Sequence, residues 1–167
     1  NKQRIPAAFE KSHDHAAPQL GVIYMNLRQS GEAIKWLENV RYDQRMKQQA
    51  RLMLSKMSYE QGQFDNAISY LTSEGFLDTV PAWRLKSDMF LLVGVAESSK
   101  PVPDGGKVER HLRKVGPESK GYRQAQATIG DLYYKKGLFS EAEAAYQNVL
   151  DAPSYEAQAL SALGNIY

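Results

Sequence analysis

No cysteine occurs in the 167 residues. That excludes disulfides, thiolate metal sites and cysteine nucleophiles, and leaves an oxidising compartment such as the bacterial periplasm as acceptable as a reducing cytoplasm. Charge of one sign is lacking too, with 21 basic against 19 acidic side chains and a net +2. Nothing in that balance demands a nucleic acid or an anionic membrane as partner. The longest apolar run, Met89 to Ala96, is eight residues and holds Gly94, against about 20 residues for a bilayer span. Catalytic signatures are missing as well. Gly105-Gly106-Lys107 lacks the glycine spacing and the Ser or Thr of a phosphate loop, and there is no Gly-x-Ser-x-Gly or His-Glu-x-x-His. The chain therefore reads as a non-enzyme with no cofactor. His13-Asp14-His15 offers three metal-ligand types, but a structural site needs four, so it reads as part of a polar tail and no metal is expected. Asn1 is not an initiator methionine and Tyr167 falls inside a helical pattern, so the chain reads as a fragment of a longer protein.

What is present is a helical period. Between Arg123 and Pro153, Ile129, Leu132, Tyr133 and Lys136 fall three and four apart, and so do Ala142, Ala145, Tyr146, Val149 and Leu150. That is two amphipathic helices with Gly137 where the first must stop. Ser140 and Glu143 have the spacing of a capping box at the start of the second. Ten tyrosines suit half-buried seams between such helices.

These residues resemble the tetratricopeptide repeat, whose 34-residue unit packs a small residue on helix A against a small residue and an aromatic on helix B. Here they are Gly130, Ala142 and Tyr146, flanked by Ile129 and Tyr133 and closed by Pro153. A step of 34 from Gly130 reaches Gly164, with Leu160, Leu163 and Tyr167 around it. The departure is Gln126, where the family often has a large apolar residue, so that pocket is expected to be less well filled. The resemblance implies an all-α fold, a right-handed α-solenoid of stacked antiparallel hairpins.

Taken in order, residues 1–13 read as a lead-in or the remnant of a preceding helix. Unit one covers about 14–47, with Gly21 and Ala33 at the paired small positions and Pro18 in the first turn. Unit two covers 48–81, with Ser55 and Ala67. Unit three covers 82–122, with its helix A small position near Met89 and helix B about Lys107 to Val115. Unit four covers 123–156 and the incomplete unit five 157–167. Ala67 to Ala142 is 75 residues, two repeats plus seven. The excess is expected in 98–106, where two prolines and two glycines oppose a continuous helix.

In repeats of this family the helix A faces line a groove that holds a peptide or partner helix. Carried across the frame, that face comprises Val22, Met25 and Asn26; Lys56, Tyr59 and Glu60; Trp83, Lys86 and Phe90; Asp131, Tyr134 and Lys135; Ser161 and Asn165. The implied function is a protein-interaction scaffold, and by analogy of fold such arrays serve in bacterial secretion and envelope assemblies. Members that clamp chaperone tails use Lys, Asn and Arg on helix A. The matching positions are Pro18, Val22, Met53, Trp83 and Ser87, so that specialisation is rejected. Two alternatives remain. Basic runs at 41–56 and 107–123 could face RNA, although the near-neutral total opposes it. The half-hairpin 157–167 leaves an apolar face that a second copy could cover, giving a homo-oligomer.

Overall fold

The computed structural model describes the backbone of residues 7–81 and 84–165 and the side chains of 12–81 and 85–165. Among the described residues there are helices and turns and no strand. The chain forms two compact units, Asn1–Ser73 and Glu74–Tyr167.

In the first unit α1 (Ala7–Asn26) pairs with α2 (Ser30–Glu38), and α3 (Gln44–Glu60) pairs with α4 (Phe64–Thr72). Helix α3 also stacks on α1 and α2. Ala17, Ala33, Leu37, Ala50, Leu54 and Met57 form the core between the two hairpins. In the second unit a short α5 (Phe76–Thr79) precedes two hairpins, α6 (Arg84–Ser98) with α7 (Gly105–Leu112) and α8 (Tyr122–Lys135) with α9 (Phe139–Gln147). Helix α8 stacks on α6 and α7, and α10 (Pro153–Gly164) stacks on α8 and α9.

Three of the hairpin turns obey one rule. Gly137 has φ +72°, with its N–H donating to the Tyr134 carbonyl at 3.0 Å and the Leu138 N–H to that of Tyr133 at 3.0 Å. This is the Schellman pattern, which satisfies carbonyls that a helix end otherwise leaves without partners. Gly62 repeats it with φ +73° and bonds to Tyr59 and Ser58. In the first hairpin the position belongs to Arg28, at φ +58°, a backbone region that costs a residue with a Cβ about 1 kcal/mol.

The helices of each hairpin approach through a small residue. A Cβ on Gly21 would lie 2.7 Å from Leu37, and one on Gly130 would lie 2.6 Å from the Tyr146 ring. Gly94 is the third such notch, where a Cβ would lie 2.4 Å from Leu112. In the second hairpin the small residue is Ser55, fully buried, with its hydroxyl donating to the Ala67 carbonyl at 2.6 Å.

Gly94 corrects the frame of the third hairpin, whose small position the sequence places near Met89. Ser55 to Gly94 is 39 residues, five over the repeat, and Gly94 to Val108 is 14 where the other hairpins have 12, two over. Only two residues of the excess therefore lie in the turn 99–104. The other five lie ahead of Gly94, in the stretch holding the Ser73–Gly75 3₁₀ turn and α5. Gly105 and Gly106 do not interrupt a helix. They open α7, with Asp104 as its cap accepting from Gly106 N at 3.0 Å and Lys107 N at 3.1 Å, and α7 ends at Leu112 rather than Val115.

Three local expectations are corrected as well. Helix α1 spans Ala7–Asn26 and takes in part of the stretch read as a lead-in or the remnant of a preceding helix, so Pro18 lies in mid-helix rather than in a first turn. Ser140 is the second residue of α9, whose cap is Leu138 with no side-chain bond. The Schellman turn brings the chain into α9 two residues earlier than a Ser140 capping box would allow.

Candidate partner-binding surfaces

On the helix A face of the first unit Asn26 and Lys56 are exposed, and Val22 beside Asn26 is 46% exposed. Tyr59 is half-buried, tilted against Phe64 with ring centroids 5.6 Å apart. In the second unit Lys135 is exposed and Tyr134 repeats the aromatic contact across the turn, edge-on to Phe139 at 5.8 Å. Asp131 serves the joint between helices. One carboxylate oxygen accepts from the Tyr146 hydroxyl at 2.6 Å and the other from Gln158 at 2.8 Å, tying α8 to α9 and α10. Burial, reinforced by that bond, pushes the Tyr146 phenol well above its ordinary value. Glu60, Ser161 and Asn165 are exposed and Met25 is half-buried.

Phe90 does not join this surface. It is 6% exposed, its ring 6.3 Å from that of His111 and 4.8 Å from the Lys114 ammonium. It stands four residues before Gly94, the register of Gln126 before Gly130, and fills the space between α6 and α7 that a large residue suits there. The Lys86 ammonium lies over the same ring at 5.9 Å. Trp83, the other aromatic assigned to this face, lies outside the described residues. Counted from Gly94, the third helix A face becomes Val95, Ser98 and Ser99, all half-buried.

Sequence reasoning misses Asp14, which is fully buried and accepts from the backbone N–H of Arg41 at 3.2 Å, of Asp43 at 2.6 Å, and of Tyr42. A carboxylate in α1 thus fastens the turn that leads into α3. Neighbouring His13 stacks on Trp36, centroids 5.2 Å apart, so the stretch read as part of a polar tail belongs instead to α1, with Asp14 and His13 both engaged in packing. Arg123 stands in the register of Asp14, seven before its glycine. Its Nε donates to Asp151 at 3.1 Å, in the turn after α9.

Between α7 and α8, Glu109 accepts from the Tyr133 hydroxyl at 2.6 Å and from Arg113 Nε at 2.8 Å, and Arg113 also donates to the Tyr133 oxygen at 2.8 Å. The Tyr133 hydroxyl, then Arg113, hold the Glu109 carboxyl below its ordinary value. The basic run 107–123 is thereby partly neutralised: Arg113 pairs with Glu109, Arg123 with Asp151, and Lys107 with Asp104 at 3.7 Å.

The run 41–56 divides differently. Arg41, Lys47 and Arg51 border a cavity of about 310 Å³ framed by α2 and α4 over α3. Leu37, Val40 and Leu54 give it an aliphatic wall, and its acid, Glu38, accepts from the Tyr70 hydroxyl at 2.9 Å. Burial first, then that bond, push the Tyr70 phenol up to about 12. Lys56 stands on the opposite side of α3 at 3.6 residues per turn. The second unit has a cavity of about 220 Å³ in the same register, bordered by Gln126 and Ile129 where the first has Arg51 and Leu54. The shortfall expected at Gln126 is therefore a real space.

With this geometry in place, residues 124–154 match the tetratricopeptide repeat family. The match takes in most of α8 and all of α9, so the fourth hairpin is similar to a repeat of that family. Repeats of this kind typically act as protein-interaction modules. No curated protein matches the chain.

Proposed function

We propose that the chain is a non-catalytic scaffold that binds a peptide or partner protein through its helix A faces, as a component in assembly of a larger complex such as a secretion or envelope machine. The observation that carries the reading is the surface of α3, where Lys56 and Glu60 stay exposed beside the half-buried Tyr59 while Leu54, Ser55 and Met57 are committed to packing. An amphipathic ring with charged neighbours suits a protein surface. Lys135 and Tyr134 repeat the arrangement on α8. The test is partner capture by variants Lys56→Ala, Tyr59→Ala and Lys135→Ala with helicity followed by circular dichroism. Weakened capture at full helicity supports the reading; capture unchanged in all three overturns it.

Self-association is a second reading, favoured by Leu160, a large apolar side chain on α10 that is 53% exposed. Sedimentation over a concentration range distinguishes the cases, since Leu160→Glu dissociates an oligomer built on this face and leaves a monomer unchanged.

A further inference from the structure

We infer that the hairpin of α6 and α7 carries a docking site for a phosphorylated peptide, whose phosphate monoester sits among Lys86, Arg110 and Lys114 beside the Phe90 ring. The two lysines come from different parts of the hairpin and meet at that ring, the Lys114 ammonium 4.8 Å and the Lys86 ammonium 5.9 Å from its centroid. They therefore stand no farther apart than the sum of those distances. Arg110 is exposed in the last turn of α7, four residues before Lys114, and the backbone stays helical through Arg113, so the two are neighbours on that surface. Among the described residues these three side chains form no ion pair or hydrogen bond. The acids of the hairpin are committed elsewhere. Glu109 accepts from Tyr133 and Arg113, and the buried Glu97 accepts from Lys100 and from the Asp104 N–H, each at 3.4 Å. Asp88 is two residues from both Lys86 and Phe90, which puts it on the other side of α6 at 3.6 residues per turn.

The fourth hairpin is an internal control within the same unit. Aligned by Gly94 with Gly130 and by Val108 with Ala142, it has Tyr122, Gln126, Ala144 and Asn148 where the third has Lys86, Phe90, Arg110 and Lys114. None of the four is charged. Gln126 borders an open cavity there, whereas Phe90 fills the space between its helices and leaves the cations at its edge. A compact set of cations suits one dianion, and a phosphate monoester carries about −1.5 to −2 at pH 7. RNA fits less well. Sites for single strands stack bases on accessible aromatic rings, and Phe90 is 6% exposed. The uncharged register on the fourth hairpin also gives a phosphodiester backbone no track of cations to follow.

His111 is a built-in reporter. Its ring lies 6.3 Å from that of Phe90 and its Nδ1 2.8 Å from the Lys107 carbonyl, so Nδ1 donates and Nε2 is the nitrogen that takes up a proton. Burial first, then the charges of Lys114 and Arg110, hold the imidazole below its ordinary value against the opposing pull of the Lys107 carbonyl and Glu97. A dianion bound among the same cations raises it. The experiment titrates the whole ¹⁵N-labelled chain with acetylated, amidated Ala-Ala-phosphoserine-Ala-Ala up to millimolar concentration, beside the unphosphorylated peptide, inorganic phosphate and hexauridylate. The phosphopeptide is expected to shift the amides of residues 85–90 and 107–115 and to move the His111 titration midpoint upward, with His13 and His15 unchanged. Lys86→Gln, Arg110→Gln and Lys114→Gln should each weaken binding by about ten-fold, as loss of one charged contact does. Lys135→Gln, on the helix A face, should leave it unchanged, so failure here is distinguishable from failure of the helix A reading. No rise at His111, equal binding of the unphosphorylated peptide, inorganic phosphate bound as tightly as the phosphopeptide, hexauridylate bound in preference, or full affinity in all three Gln variants would each overturn the proposal.

Discussion

In residues 1–73 the turn after helix B is fastened by Asp14, fully buried and bonded to three backbone amides. In residues 74–167 the same register carries Arg123, which meets Asp151 at the surface. The geometry needs the turn held at that point and accepts either chemistry, but the two fastenings differ in energy. A buried carboxylate that accepts three amides is worth far more than an exposed ion pair, because water replaces the second at little cost. Asp14→Ala is therefore expected to destabilise the first unit by about 3 kcal/mol, and Arg123→Ala to leave the second nearly as stable as before, both read by chemical denaturation. Equal losses would break the comparison.

The glycine notches sharpen it. Gly94 and Gly130 serve hairpins with different spacing to their helix B partners, 18 residues to Leu112 and 16 to Tyr146, yet each closes to the point where a Cβ would overlap. What these hairpins share is the contact and not the interval. Gly94→Ala and Gly130→Ala should each cost about 2 kcal/mol through overpacking, lowering Tm by about 4–8 °C for a chain of this size. Gly164→Ala, with open space around it, should be neutral or gain up to about 1 kcal/mol from better helix propensity. A Gly164→Ala loss matching that of Gly130 would show that the notch is filled.

The notch also shows what the sequence discloses. Ala67, Ala142 and the glycines are legible because a hairpin closes only where side chains are absent, and absence is easy to read at a fixed interval. Gly94 is legible too, by a rule that ignores interval. An aliphatic residue precedes the small one in Leu20-Gly21, Leu54-Ser55, Val93-Gly94, Ile129-Gly130 and Leu163-Gly164. Counting in steps of 34 leads instead to Met89 and assigns Phe90 to a binding face, because residues inserted ahead of α6 shift the register before the helix begins. Asp14 is not legible in this way. Its partners are backbone amides 27 to 29 residues away, and amides carry no residue-type signal. The cavity over α3 needs the fold as well, since its cations come from both a turn and a helix.

Arg28 and Gly137 are the next pair, at one position of one turn with positive φ in both. The left-handed region costs Arg28 energy that glycine avoids, so Arg28→Gly should stabilise the first unit by up to about 1 kcal/mol, the glycine's extra unfolded-state entropy taking back part of the gain. Gly137→Ala should cost the second unit about 1 kcal/mol. Changes of the same sign in the two variants would mean that the turns are not equivalent.

The smallest effect compares one titrating group from each unit. Tyr70 of the first unit has its phenol raised from 10.0 to about 12, by burial and then by Glu38. A raised pKa favours the protonated folded form, so this contribution is whole below pH 10 and is lost as pH rises through about 12. Glu109 of the second unit has its carboxyl lowered from 4.5, by the Tyr133 hydroxyl and then Arg113. A lowered pKa favours the charged folded form, so that contribution is whole above pH 4.5 and fades as pH falls through the folded value. Tyr70→Phe should lessen the alkaline decline, Tyr146 of the second unit keeping its own share, and leave the acid limb alone, whereas Glu109→Gln should lessen the acid decline. Denaturation midpoints across pH 3 to 12 test both; a Tyr70→Phe variant that keeps the wild-type decline above pH 10 would place the alkaline sensitivity elsewhere in the chain.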